Sequence, residues 1–196
     1  MKQEIERKYA IKYIPKDLKI EEATDIEQCF IYRDKLTIIR LRKIKNLKNE
    51  EIEYVYTLKT KGDIEYEQGN KVGKKYEIEN SITKEEYEKL LKRKISNTIN
   101  KTRLVVPIKD NLKAEIDIYY DYLEGFLTLE VEFENTKQAD EFIKPDWFGE
   151  ELGYDKLSNR KLSEMTKEEF QSIVTKEFLE NNRKLIKLLK KYINKR

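Results

Sequence analysis

"EIDIYYDYLEGFLTLEVEFEN", residues 115 to 135, holds two period-two runs separated by a turn. Glu115, Asp117 and Tyr119 alternate with Ile116 and Ile118. After Gly125, Glu130, Glu132 and Glu134 alternate with Leu129, Val131 and Phe133. Alternate residues of a strand share a face, so each run has one acidic face and one apolar face. The fold question is therefore what covers the apolar side and what the acidic side looks onto.

The same two-faced pattern recurs along the chain. Candidate strands cover residues 3–12, 28–33, 36–45, 53–61, 74–80, 101–108, 113–121 and 126–134. Glu4, Glu6 and Lys8 oppose Ile5, while Arg40 and Arg42 oppose Ile39 and Leu41. Thr57 and Lys59 oppose Tyr56 and Leu58, and Lys75, Glu77 and Glu79 oppose Tyr76 and Ile78. Lys101 and Arg103 share one further face. Eight strands joined mostly by short links predict an antiparallel sheet or barrel.

Helices are predicted where the period lengthens. "TKEEYEKLLKRKI" carries Thr83 and Glu86 as a capping box, with Tyr87, Leu90, Leu91 and Ile95 as its apolar stripe. "TKQADEFIKPDWF" gives a short helix ending before Pro145. Thr166 and Glu169 form a second box ahead of Phe170, Ile173 and Val174. The tail "NNRKLIKLLKKYINKR" is a basic amphipathic helix with Leu185, Leu188, Leu189 and Tyr192 on one side.

Composition narrows the classes of function. At 196 residues and 38% hydrophobic, the chain can bury one core. Its 41 basic and 38 acidic residues leave a charge of +3, too even to indicate nucleic-acid binding. The single cysteine, Cys29, permits no internal disulfide, and cytoplasmic residence is the expectation. The start, MKQEIERKY, has no apolar signal core, and no apolar run reaches the roughly 18 residues of a membrane span. Histidine is absent, which removes histidine triads, bases and metal ligands. A metal site here must be built from oxygens, which suits Mg²⁺ or Mn²⁺.

For one strand, a charged face needs no explanation beyond water. For the set, two features point elsewhere: uncharged polar residues are scarce on these faces, and the signs are segregated by strand. An ordinary surface mixes them. If the sheet closes with its charged faces inward, acids and bases converge on a polar tunnel and the helices cover the outer apolar faces. Such a tunnel suits a compact polyanion, held by guanidinium forks and ammonium charges. Carboxylates beside it would repel that anion unless divalent cations sit between, which points to metal-dependent phosphoryl or nucleotidyl transfer. The chain has no Walker loop.

The motifs in order resemble those of the CYTH, or triphosphate tunnel metalloenzyme, family. "EIERK" resembles its E-x-E-x-K opening, "TIIRLRK" its R-x-R strand and "YTLKTKG" its lysine strand. "KKYEIE" and "NKTRLVV" resemble its basic-x-E-x-E and K-x-R strands. The opening quotation is similar to its acidic strand, turn and E-x-E strand, and "PDWFGEELGYDKLSNRKL" to its closing segment. The resemblance spans residues 1–162, the expected tunnel domain; residues 163–196 form an expected helical extension that docks on the barrel or on a second copy as a homodimer.

The resemblance implies an α+β, mainly β fold with an eight-stranded closed antiparallel tunnel that binds a triphosphate-containing small molecule with Mg²⁺ or Mn²⁺, two ions in all. Lys8, Arg40, Arg42, Lys59, Lys75, Lys101 and Arg103 would bind the triphosphate; Lys75 stands where the family usually has arginine. Among these, Lys8, Arg40, Arg42 and Lys59 would take catalytic roles. Glu4, Glu6, Glu77, Glu79, Asp117, Glu130 and Glu132 would hold the metals, while Glu115 and Glu134 have weaker claims. Phe30 replaces a family tyrosine and Cys29 a glycine. Ser158 and Asn159 are expected to fix the closing loop, and Trp147 to anchor packing.

Three functions fit these implications. One is hydrolysis of inorganic triphosphate or a related organic triphosphate by metal-activated water. The second is an adenylate cyclase of the same family, and the third a non-catalytic polyphosphate-binding module. Hydrolysis is favoured, because no adenosine pocket is advertised and a pure anion binder has no use for so many carboxylates.

Overall fold

The computed structural model describes residues 5–67, 70–152 and 157–193, with side chains throughout except at 61–75. Nine strands form one antiparallel sheet: β1 (Ile5–Ile11), β2 (Glu22–Arg33), β3 (Thr37–Asn46), β4 (Ile52–Glu67), β5 (Asn70–Ile82), β6 (Ile99–Pro107), β7 (Lys113–Tyr119), β8 (Leu127–Phe133) and β9 (Phe148–Glu151). Their spatial order is β5-β4-β3-β2-β6-β7-β8-β1-β9.

This corrects the expected eight-stranded closed barrel. The edge of β1 that closure would have used is taken by β9, with Tyr9 opposite Glu151 and Ile11 opposite Phe148. Among the described residues no ladder joins β5 to the far end, and the sheet is open. β9 is only 4 residues long, too short to show a period of its own. The mainly β, α+β class stands.

Helices cover the apolar side. α1 (Lys84–Leu91) opens with the expected capping box: Thr83 Oγ1 accepts from Glu86 N at 3.2 Å, and Glu86 accepts from Thr83 N at 2.8 Å. Its Tyr87 packs on Cys29 and Leu41 behind β2 and β3. The helix ends before Ile95, which is 59% exposed and whose N–H donates to Phe30 O instead. α2 (Thr136–Glu141) is capped by Asn135, and α3 (Asn159–Glu164) by Ser158. α4 (Lys167–Ile173) begins with the Thr166–Glu169 box.

α5 (Lys176–Ile193) starts five residues before the expected tail helix and lies along the sheet's apolar face. Ile186 and Leu189 pack there with Leu104, Ile116, Leu129 and Val131, each burial worth roughly 1.5–3 kcal/mol. Leu188, expected on that side, is 43% exposed, because helical geometry turns it away from Leu189. Tyr192 OH pins the end by donating to Lys16 O at 2.9 Å. Trp147 is buried and meets Phe148 edge-on. No helix among the described residues is long and apolar enough to cross a membrane.

Candidate active site

In an antiparallel ladder, residues directly opposite one another share a face. The ladders place Glu6 opposite Glu132 and Lys8 opposite Glu130, then Glu130 opposite Glu115 and Asp117 opposite Thr128. Arg103 faces Asp117 and Lys101 faces Tyr119. Across β2, Thr24, Ile26 and Gln28 link Arg103, Lys101 and Ile99 to Ile44 and Arg42. Arg40 faces Thr57, Thr57 faces Glu79, and Lys59 faces Glu77. One face of eight strands, β5 to β1, therefore carries the charged positions singled out in the sequence. Lys75 sits on it by backbone register, opposite Lys61. Its side chain, and Glu4 altogether, lie outside the described residues.

The face divides into two groups. On β1, β6, β7 and β8, Lys8 Nζ lies 2.7 Å from Glu130, with the two side chains 2% and 8% exposed. Lys101 Nζ lies 2.5 Å from Asp117 Oδ2. Arg103 reaches Asp117 twice at 2.7 Å, Glu130 at 3.1 Å, and also Glu115. On β3, β4 and β5, Arg40 meets Glu77 at 3.2 Å and Glu79 at 3.4 Å, and Arg42 meets Glu79. Lys59 lies 3.4 Å from Glu77, and Thr57 donates to Glu79 at 3.0 Å.

Burial sets the electrostatics of the first group. Loss of solvent, with Arg103 alongside, pushes the Lys101 ammonium down to about 8. Burial also works against the Asp117 anion, yet Arg103 and Lys101 together hold that carboxyl well below its usual range. Burial opposes the Glu130 anion too, and Lys8, Arg103 and Lys101 together outweigh it to keep the carboxyl low. Glu115 is raised, because burial exceeds the help it draws from Arg103. Three bases, Lys8, Lys101 and Arg103, answer three acids, Glu115, Asp117 and Glu130.

Two contacts hook the closing segment onto this face. Lys8 Nζ donates to Leu157 O at 3.2 Å, and Tyr119 OH donates to Asn159 Oδ1 at 2.9 Å. Ser158 and Asn159 thus fix the loop by hydrogen bonding, as their types suggested. Cys29 lies on the opposite face, buried, its thiol pushed up to about 11 by that burial. Glu115 was under-weighted in the sequence; its pairing with Arg103 follows from register, and its alternation with Asp117 was the available signal.

As donors, the carboxylates of this face offer oxygen only, which fits a hard divalent cation in chemistry. No three of them are grouped as a ready-made cation site among the described residues, because most are turned onto Lys and Arg.

No family model matches the chain. It is 30% identical over 159 residues to the inorganic triphosphatase of Nitrosomonas europaea, covering 81% of this chain and 94% of that protein. A crystal structure of the inorganic triphosphatase NE1496 is 28% identical and superposes with a TM-score of 0.54 over 83% of this chain and 95% of that one. A second crystal structure of NE1496 gives 0.55 at 29% identity, over 83% and 99%.

Proposed function

The chain belongs to the CYTH, or triphosphate tunnel metalloenzyme, family, and on that premise we propose that it is a metal-dependent hydrolase of inorganic triphosphate or a related organic triphosphate. The observation that carries this reading is the unbroken register joining Lys8, Lys101, Arg103, Arg42, Arg40 and Lys59 across one face. A relative at this level of identity acts as an inorganic triphosphatase, which agrees with it.

The basic residues are engaged by carboxylates, so a triphosphate binds by exchange. Its oxygens take over the guanidinium and ammonium donors, and the carboxylates they leave need a new counter-charge. Glu4, Glu6, Glu77, Glu79, Asp117, Glu130 and Glu132 would then hold Mg²⁺ or Mn²⁺, which supplies charge neutralisation and polarises water and phosphoryl oxygen. Arg40 and Arg42 supply fork-shaped donors to equatorial oxygens, whose charge grows in the transition state. Lys59, Lys75 and Lys101 add point charge along the phosphate chain, and Lys8 and Arg103 orient its inner end. The Lys8 contact to Leu157 O fixes that ammonium before substrate arrives.

The test is product analysis with Mg²⁺ or Mn²⁺ and, separately, inorganic triphosphate, ATP and thiamine triphosphate. Release of phosphate from inorganic triphosphate is expected. Cyclic AMP from ATP with inorganic triphosphate left intact would make the protein an adenylate cyclase. Binding without turnover of any of the three would make it a polyphosphate-binding module.

A further inference from the structure

β2 joins the two charged groups yet contributes no charge to their face: Thr24, Ile26, Gln28 and Phe30 are all buried there. Gln28 lies at the middle of the strand, opposite Arg42 on β3 and Ile99 on β6. It is 2% exposed, and its Nε2 is buried with no hydrogen-bond partner among the described residues. The Nε of Arg42, its cross-strand neighbour, is likewise buried without one.

A buried amide donor left unpaired is destabilising, and leucine or methionine would fill nearly the same volume without that cost. Two unused donors on opposed residues, in a face already organised around anions, match a ligand that brings acceptors only. A triphosphate oxygen is such an acceptor. An amide suits the position because it adds a donor without a further positive charge between Arg42 and Lys101, where burying another cation would be costly.

We propose that Gln28 is a substrate-binding residue whose side-chain amide, beside the Arg42 Nε, donates to an anionic oxygen of the bound triphosphate. This rests on the triphosphatase reading. The donor is unpaired in the free protein and satisfied in the complex, so Gln28 sacrifices stability for binding.

Gln28→Leu and Gln28→Met remove the donor and keep the volume. Imidotriphosphate, whose nitrogen bridges resist cleavage, is titrated in Mg²⁺ by calorimetry against wild type, both variants and Arg40→Ala, and each Tm is measured without ligand. Expected are a Kd weakened about tenfold or more in both variants, and a Tm no lower than wild type. A Kd within about twofold of wild type in either variant, or weakening that comes only with a fall in Tm, overturns the proposal. If wild type binds and Arg40→Ala loses binding while the Gln28 variants match wild type, only this inference fails. Wild type that takes up no imidotriphosphate overturns the functional reading with it.

Discussion

The two halves of the charged face use the same residue types under different exposure. On the β1, β6, β7 and β8 side, Asp117 is 0% exposed and Lys8 and Lys101 2% each, and Lys8, Lys101 and Arg103 are outnumbered by Glu6, Glu115, Asp117, Glu130 and Glu132. On the β3, β4 and β5 side, Lys59 is 25% and Glu79 45% exposed. There Arg40, Arg42 and Lys59 outnumber Glu77 and Glu79 among the described side chains. In the first half Lys8, Lys101, Asp117 and Glu130 are trapped and must have their partners; in the second, the pairs that end on Glu79 are screened by water and exchange readily. The first half is thus a pre-set electrostatic floor, and the second is where an incoming polyanion first gains by displacing carboxylates.

The sharpest way to break this contrast is to remove one acid from each half. Asp117→Ala strands Lys101 and Arg103 in the interior and should cost about 3–5 kcal/mol in denaturant unfolding. Glu79→Ala should cost no more than about 1 kcal/mol. Equal losses would show that burial does not separate the halves.

Next in size is Arg40→Ala. As a phosphate contact paired with Glu79, which is 45% exposed, it should lower kcat/KM for inorganic triphosphate about 100-fold while the unfolding free energy moves by much less than in Asp117→Ala. A stability loss like that of Asp117→Ala, with kinetics intact, would give Arg40 a structural role.

A smaller effect distinguishes the halves by pH. Lys101 is held at about 8 by burial and Arg103, below its ordinary 10.5. Above about 8 it loses its charge in the folded protein, and kcat/KM at pH 9 should stand about tenfold below its value at pH 7. The unfolded chain binds more protons in the window from about 8 to 10.5, so unfolding free energy should rise with pH there. Activity and stability would move in opposite directions. Lys101→Arg keeps its charge throughout and should flatten both limbs; limbs unchanged in that variant would assign them to another group.

Much of this was legible because a strand's period is two and needs no tertiary information. Glu115 and Asp117 against Ile116 and Ile118 announce a two-faced strand, and the Thr83–Glu86 and Thr166–Glu169 boxes locate helix starts. β2 was read from residue 28, six residues late, because Asp25 and Glu27 sit on its outer side and Ile26 on its charged side, reversing the pattern of its neighbours. Ile95 looked like a continuation of the helical stripe, but its N–H is claimed by Phe30 O, a partner 65 positions away in sequence. Gln28 could not be singled out, since an amide's missing partner exists only once its neighbours are placed.

The sequence by itself determined which residues share a face, where helices start, and that acids and bases would gather on one side of a sheet. Those follow from side-chain spacing and local capping. Only the tertiary structure decided that β9 occupies the edge of β1 and leaves the sheet open. It also decided that Lys101 and Asp117 are buried while Lys59 is half-buried and Glu79 faces water. Edge pairing and burial depend on which distant elements arrive, and no local spacing encodes that.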